Sequence, residues 1–211
     1  RQIAIQANTE SGDLFNFIIK DLHEELNVIG RVDLLQTVAQ KNLQHLNKYN
    51  FGESNTDKLK YASAYRNIGS VLEMQQDTAP SISAYSKARD ILLNLEGDTN
   101  NSIQISSLLA LTYSDLAGLH AKLGLLELAN AEHEKALAQA NVLIKLEADN
   151  ANDIQWSVIH PMSWNLMEQS SYDKAKKYLD QALIISTQAY KNDSTEVNWL
   201  TKKFKSLVAL G

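Results

Sequence analysis

Apolar residues recur at helical spacing along almost the whole chain. Leu14, Ile18, Leu22 and Leu26 form one stripe, and Leu35, Val38, Leu46 and Tyr49 form a second, so the first 55 residues predict two amphipathic helices. Between them Gly30 is placed to end the first helix, and Asp33, with Gln36 three residues later, to cap the second. Such a pair closes into an antiparallel hairpin. The stretch from Tyr49 through Asn50, Gly52 and Ser54 has the composition of a loop, and the helical pattern resumes at about Thr56. That change of composition marks the first internal boundary.

Beyond it the pattern repeats. Tyr65, Gly69 and Leu72 are followed by Ser81, Tyr85 and Ala88; Tyr113, Ala117 and His120 by Ala129, His133 and Ala136; Ile159, Ser163 and Leu166 by Ala175, Leu179 and Ala182. The internal offsets are the same each time. Small residues at 69, 117 and 163 on a first helix, and at 81, 88, 129, 136, 175 and 182 on a second, allow two helices to approach closely. In these residues the sequence resembles the tetratricopeptide repeat, over about two thirds of the chain. The resemblance implies an all-α, right-handed α-α superhelix, a solenoid of antiparallel hairpins. Three long hairpins are expected, at about 56–98, 100–149 and 151–192, after an N-terminal hairpin at 1–55 and before a capping helix or truncated repeat at 193–211.

The chain departs from the family pattern in three ways. The family's usual period is about 34 residues, yet the step is 48 residues from Ala88 to Ala136 and 46 from Ala136 to Ala182. Because Leu137, Ala140, Leu143 and Ile144 keep helical spacing past Ala136, and Ile184, Ile185 and Ala189 past Ala182, the extra length is expected in the second helices. His133 and Leu179 stand where an aromatic is usual, and Ser81 where an alanine is. Pro161 lacks a backbone donor, so the first helix of the third hairpin is expected either to kink there or to start late. At the C-terminal end Asp193 and Glu196 form a capping box for a last helix, with Trp199, Phe204, Leu207 and Leu210 as its apolar stripe.

Composition narrows the function. Eight glycines and two prolines in 211 residues are less than half the usual share of about 12%, in keeping with long helices and few turns. Twenty Lys and Arg against 25 Asp and Glu give a net charge of −5, which supplies no basic footprint for nucleic acid. With no cysteine there is no disulfide, thiolate nucleophile or Cys-ligated zinc, and the compartment stays open between cytoplasm and periplasm. Purely apolar runs reach four residues, as at 108–111, so no membrane insertion is expected of a chain whose span would need about 20. The sequence begins at Arg1 rather than Met, and an upstream region carrying a leader, an anchor or a further domain is expected to precede it.

Candidate chemistry is sparse. The five histidines include no pair four residues apart, so neither a metal nor any other cofactor is expected. His120 and His133 fall on positions that are apolar in the repeat and read as buried, hydrogen-bonded core histidines. The pairs Glu24 and Glu25, and Glu132 and Glu134, read as solvated faces, as does the cluster Lys202, Lys203 and Lys205. Neither a glycine-rich phosphate loop nor a GxSxG elbow is present.

What remains is surface. In stacked hairpins the first helices line a concave groove. Their outward residues are Arg66, Ser70 and Glu73 in the first hairpin, Ser114, Gly118 and Lys122 in the second, and His160, Trp164 and Met167 in the third. Trp164 reads either as a binding anchor or as a packing residue against the last helix. Arg66 and Asn67 are similar to polar pairs with which some family members hold a C-terminal carboxylate, although the rest of that clamp is not matched. The expected function is non-catalytic: a groove that binds a protein or peptide segment, or a neighbouring domain. The N-terminal segment and the long period also look like bacterial signalling proteins in which such repeats follow a kinase, TIR-like or nucleotide-binding domain, which implies a sensory or scaffolding role. A self-association module is the alternative, and an enzyme with a site hidden in the groove is a further one.

Overall fold

A computed structural model describes residues 54–192 and 197–210. The expected N-terminal hairpin, its turn at Gly30 and the capping box of Asp193 and Glu196 lie outside the described residues. Among those described there are seven α-helices and no strand: α1 (Asn55–Met74), α2 (Thr78–Leu93), α3 (Ser102–Lys122), α4 (Leu126–Lys145), α5 (Ala151–Glu168), α6 (Tyr172–Asn192) and α7 (Val197–Leu210), with a single 3-10 turn, Thr99–Asn101, before α3. The described residues are therefore all-α. The chain divides into two compact units, Arg1–Thr112 and Tyr113–Gly211, with the division falling inside α3.

In the first unit α1 and α2 pack as a pair. Ser54 caps α1, its Oγ accepting the Asp57 amide at 3.1 Å. Tyr65, Ile68, Val71 and Leu72 of α1 meet Ala84 and Ala88 of α2 in one buried cluster. The closest approach is at Gly69, where a Cβ would lie 2.8 Å from the Tyr85 ring, so only glycine fits under that ring. Ser81, the departure from alanine, has a use: its buried Oγ donates to the Gly69 carbonyl at 2.7 Å. The α2–α3 connection is tied back to the start of α1 by Asp98. Its carboxylate accepts from Asn101 Nδ2 at 2.6 Å, Asn55 Nδ2 at 3.0 Å and the Asn100 amide at 3.0 Å. These bonds to the charged form, led by those from Asn101 and Asn55, hold the Asp98 pKa below the ordinary carboxylate value.

In the second unit α6 packs against both α5 and α7, and α4 against α5. Trp156, Ile159, Ala182, Ile185 and Trp199 share one buried cluster, with Leu137 packed against it; Met162, Leu166 and Ala175 form another. Helix α5 runs unbroken through Pro161, so it does not start late. The carbonyl of Ser157 loses its amide partner there, and the helix persists because Val158, Ile159, Met162 and Ser163 around the proline are all buried.

The repeat is written into the turns as well as the helices. The turns that follow α1, α3 and α5 carry the same cap, in which a residue in the left-handed region follows the helix: Gln76 at φ 62°, Gly124 at φ 76° and Ser170 at φ 57°; Glu147 at φ 53° ends α4 in the same way, with Ala148 bonded back to Leu143. In the three hairpin turns the next amide reaches back five residues, Asp77 to Leu72, Leu125 to His120 and Ser171 to Leu166, at 2.8–3.0 Å. The left-handed residue itself bonds three back, to Glu73, Ala121 and Met167. This is the Schellman arrangement. The carbonyls of Asp77, Leu125 and Ser171 then accept from Ser81, Ala129 and Ala175, starting the second helix. The three hairpin caps recur with steps of 48 and 46 residues, the same as the buried small positions.

Candidate binding surface

The outward residues of α1 lie around a polar edge. Arg66, Ser70 and Glu73 are all half-buried, and Glu73 Oε2 accepts from the Tyr85 hydroxyl at 3.3 Å. The ring that closes on Gly69 is therefore held at its far end by the residue one helical turn further along α1.

In the second unit the expected residues separate. Ser114 is buried and leaves the surface set. Gly118 has open space where a Cβ would stand, and Lys122 is exposed in the last turn of α3. Two further polar groups change place relative to expectation. Glu132, read from the sequence as solvated, is buried and pairs with His120, Oε2 to Nδ1, at 2.6 Å, joining α3 to α4. His133 is fully buried on α4 as expected of a core histidine. Its Nε2 accepts from Asn165 Nδ2 of α5 at 2.7 Å, while Nδ1 has no hydrogen-bond partner among the described residues. Burial pushes its pKa down to about 4, so the ring is neutral at pH 7.

The Asn165 contact belongs to a seam that the sequence did not reveal. Asn130 and Gln169 exchange reciprocal amide bonds at 2.9 and 3.2 Å, and Gln155 donates to Asn141 at 3.4 Å. With His133 and Asn165, three polar pairs fix the antiparallel register of α4 against α5. Each partner lies on a different helix, 14 to 39 residues away in sequence, beyond the reach of periodicity within one helix.

The richest surface is on α5. Asp153, Trp156, His160 and Trp164 follow one another at intervals of three or four residues and so share one helical face. The His160 ring stacks on Trp156 with centroids 4.6 Å apart and planes 20° apart, and meets Trp164 edge-on at 6.4 Å. Helix α7 crosses the N-terminal half of this face. Trp156 Nε1 donates to Ser206 Oγ at 3.1 Å. Lys202 lies buried with its Nζ 5.1 Å from the Trp156 centroid and 4.6 Å from that of Trp199, paired with Asp153. Lys202 is thus a buried cation between two indoles rather than part of a solvated face. Burial and the nearby Lys205 ammonium hold the His160 imidazole below its ordinary pKa.

Trp164 lies beyond this cover. It is 46% exposed, against 8% for Trp156 and for Trp199. Met167, three residues on, is half-buried against the Met162, Leu166 and Ala175 cluster. The Trp164 indole is not buried beneath α7. Among the described residues no three His, Cys, Asp or Glu side chains converge as a metal would require, and no helix is long and apolar enough to cross a membrane. No protein-family model matches the chain, and no curated protein matches it.

Proposed function

We propose that this chain is a non-catalytic protein-interaction module, a tetratricopeptide-like stack of helical hairpins that binds a protein segment or a neighbouring domain along its first helices. In a right-handed stack those helices line the concave side, which would carry Arg66, Ser70, Glu73, Lys122, His160, Trp164 and Met167. The observation that carries this reading is Trp164. A large aromatic spends half its surface in water on a helix whose other indole is already buried, and it is braced edge-on by a histidine that is itself stacked. Its rotamer freedom is already reduced, so little entropy is lost when a ligand covers it. The cap shared by the three hairpin turns supports the stack, since it delivers each second helix from its first in the same way. Within a larger bacterial signalling protein such a surface serves as a sensory or scaffolding region.

The test begins with peptides selected from a displayed random library on the parent chain. Trp164→Ala should leave helical circular dichroism and melting temperature close to the parent yet weaken the selected peptides by about 30-fold or more, the loss typical of an interface anchor. Arg66→Ala should add to that loss. If selected peptides bind the Trp164→Ala and Arg66→Ala double variant as tightly as the parent, this surface is not the binding face.

A further inference from the structure

Helix α5 carries two carboxylates, Asp153 and Glu168, and neither lysine nor arginine. They bracket its aromatic ladder. Asp153, Trp156, His160, Trp164 and Glu168 follow at spacings of three, four, four and four, so each stands about one turn from the next along a single face. Both ends of the ladder therefore offer the same chemistry, an indole with a carboxylate one turn away. At the Asp153 end the occupant is a cation. Lys202 of α7 is buried there, its Nζ 5.1 Å from the Trp156 centroid and paired with Asp153. The ammonium meets the negative face of the ring and the charge of the acid together.

The Glu168 end is bare. Trp164 is 46% exposed, and Glu168 is exposed and joins no ion pair among the described residues. Glu168 is the last residue of α5, whose final turn holds no basic side chain, so the partial negative charge of the helix C-terminus adds to that of the carboxylate. Lys205 of α7 stands against His160 instead, one turn short of Trp164. We infer that Trp164 and Glu168 form a subsite for a lysine or arginine side chain, so that the segment this face binds is basic. The inference rests on the proposed reading of the face and adds the chemistry of its partner. Lys202 is the internal template: the bound cation lies against the Trp164 indole with its charge beside Glu168. A purely apolar segment would cover Glu168 without pairing it, and an acidic one would be repelled.

Peptides selected from a displayed random library on the full chain test this, with affinities of synthetic copies read by fluorescence anisotropy. Those that lose binding in Trp164→Ala should share a lysine or arginine at one position. Norleucine at that position should weaken binding to the parent about tenfold, and Glu168→Gln should weaken the basic peptide about threefold. The same Glu168→Gln chain should bind the norleucine peptide as well as the parent does, because the partner of the carboxylate is already gone. High salt should weaken the basic peptide more than its norleucine copy. Glu168 is exposed at a helix end, so the circular dichroism and melting temperature of Glu168→Gln should stay close to those of the parent. If the peptides that depend on Trp164 share no basic residue, or bind Glu168→Gln as tightly as the parent, the cationic subsite is wrong and the binding face stands. If no peptide is selected, or none depends on Trp164, both fail.

Discussion

Replacing Gly69 by alanine sets two known effects against each other. Helix propensity alone favours alanine in a helix interior by about 1 kcal/mol. Against it stands the Tyr85 ring, with Cδ1 at 2.8 Å and Cε1 and Cγ at 2.9 Å from the new methyl, where carbon atoms normally rest at about 3.5–4.0 Å. The ring must retreat by several tenths of an ångström, yet it is 1% exposed and its hydroxyl is bonded to Glu73. An immobile neighbour puts the cost at the upper end of the usual overpacking range, about 3 kcal/mol. The net loss is then about 2 kcal/mol, or a melting temperature lower by about 4–8 °C for a chain of this size. The repeat provides the control, because the corresponding pairs are Ala117 with His133 and Ser163 with Leu179: where the first helix carries a side chain, the second carries something smaller than tyrosine. Gly69→Ser in a Tyr85→Leu background rebuilds the third pair, and there the serine should cost almost nothing, a coupling of about 2 kcal/mol in a double-mutant cycle read by thermal or denaturant melts. If Gly69→Ala raises the melting temperature, or costs as much in the Tyr85→Leu background as in the parent, the close approach does not govern this hairpin.

Other perturbations follow from the same structure. The depressed pKa of His133 means that the unfolded chain binds a proton more readily than the folded one below about pH 6.5. Its contribution of about 3 kcal/mol is therefore complete at pH 7 and is lost as pH falls towards 4; His133→Leu should flatten the fall in melting temperature across that window, and parallel profiles for parent and variant would count against the assignment. At the left-handed caps Ser170→Gly should stabilise by about 1 kcal/mol and Gly124→Ala destabilise by a similar amount, opposite signs in one melting experiment. Lys202→Glu removes two cation–π contacts and faces Asp153 with a like charge, so α7 should loosen at a cost of about 2 kcal/mol; a red shift of the buried Trp156 and Trp199 emission reports it, and an unchanged spectrum would contradict the packing described.

The all-α class and the places where hairpins close were legible because both rest on local signals. The small residues at 69, 81, 88, 129, 136, 175 and 182 are all buried. The long period, expected to come from the second helices, is shared: α1, α3 and α5 run 20, 21 and 18 residues against 16, 20 and 21 for α2, α4 and α6. What the sequence concealed depends on the neighbour that arrives. Glu132 and Lys202 lie in patterns that read as polar faces, and nothing within α4 or α7 announces that His120 or Asp153 will meet them. Ser114 is buried although it sits on the side assigned to the groove. Pro161 misleads in the opposite direction, since its local penalty of about 3 kcal/mol is outweighed by packing that only the folded unit creates. The exposure of Trp164 was likewise undecidable from spacing, which places a residue on a face without saying how far α7 extends over it.

The three polar pairs between α4 and α5 also bear on how this protein yields under load. Parting two helices across an oily interface exposes surface that adheres to other chains, whereas amides and an imidazole that lose one another are rehydrated at a net cost of about 1 kcal/mol per bond. The apolar contacts of Leu137 with the Trp156 cluster keep the seam shut at rest. If a load parts α4 from α5, these polar groups exchange one another for water. The paired amides and the imidazole then set the register in which the seam closes again.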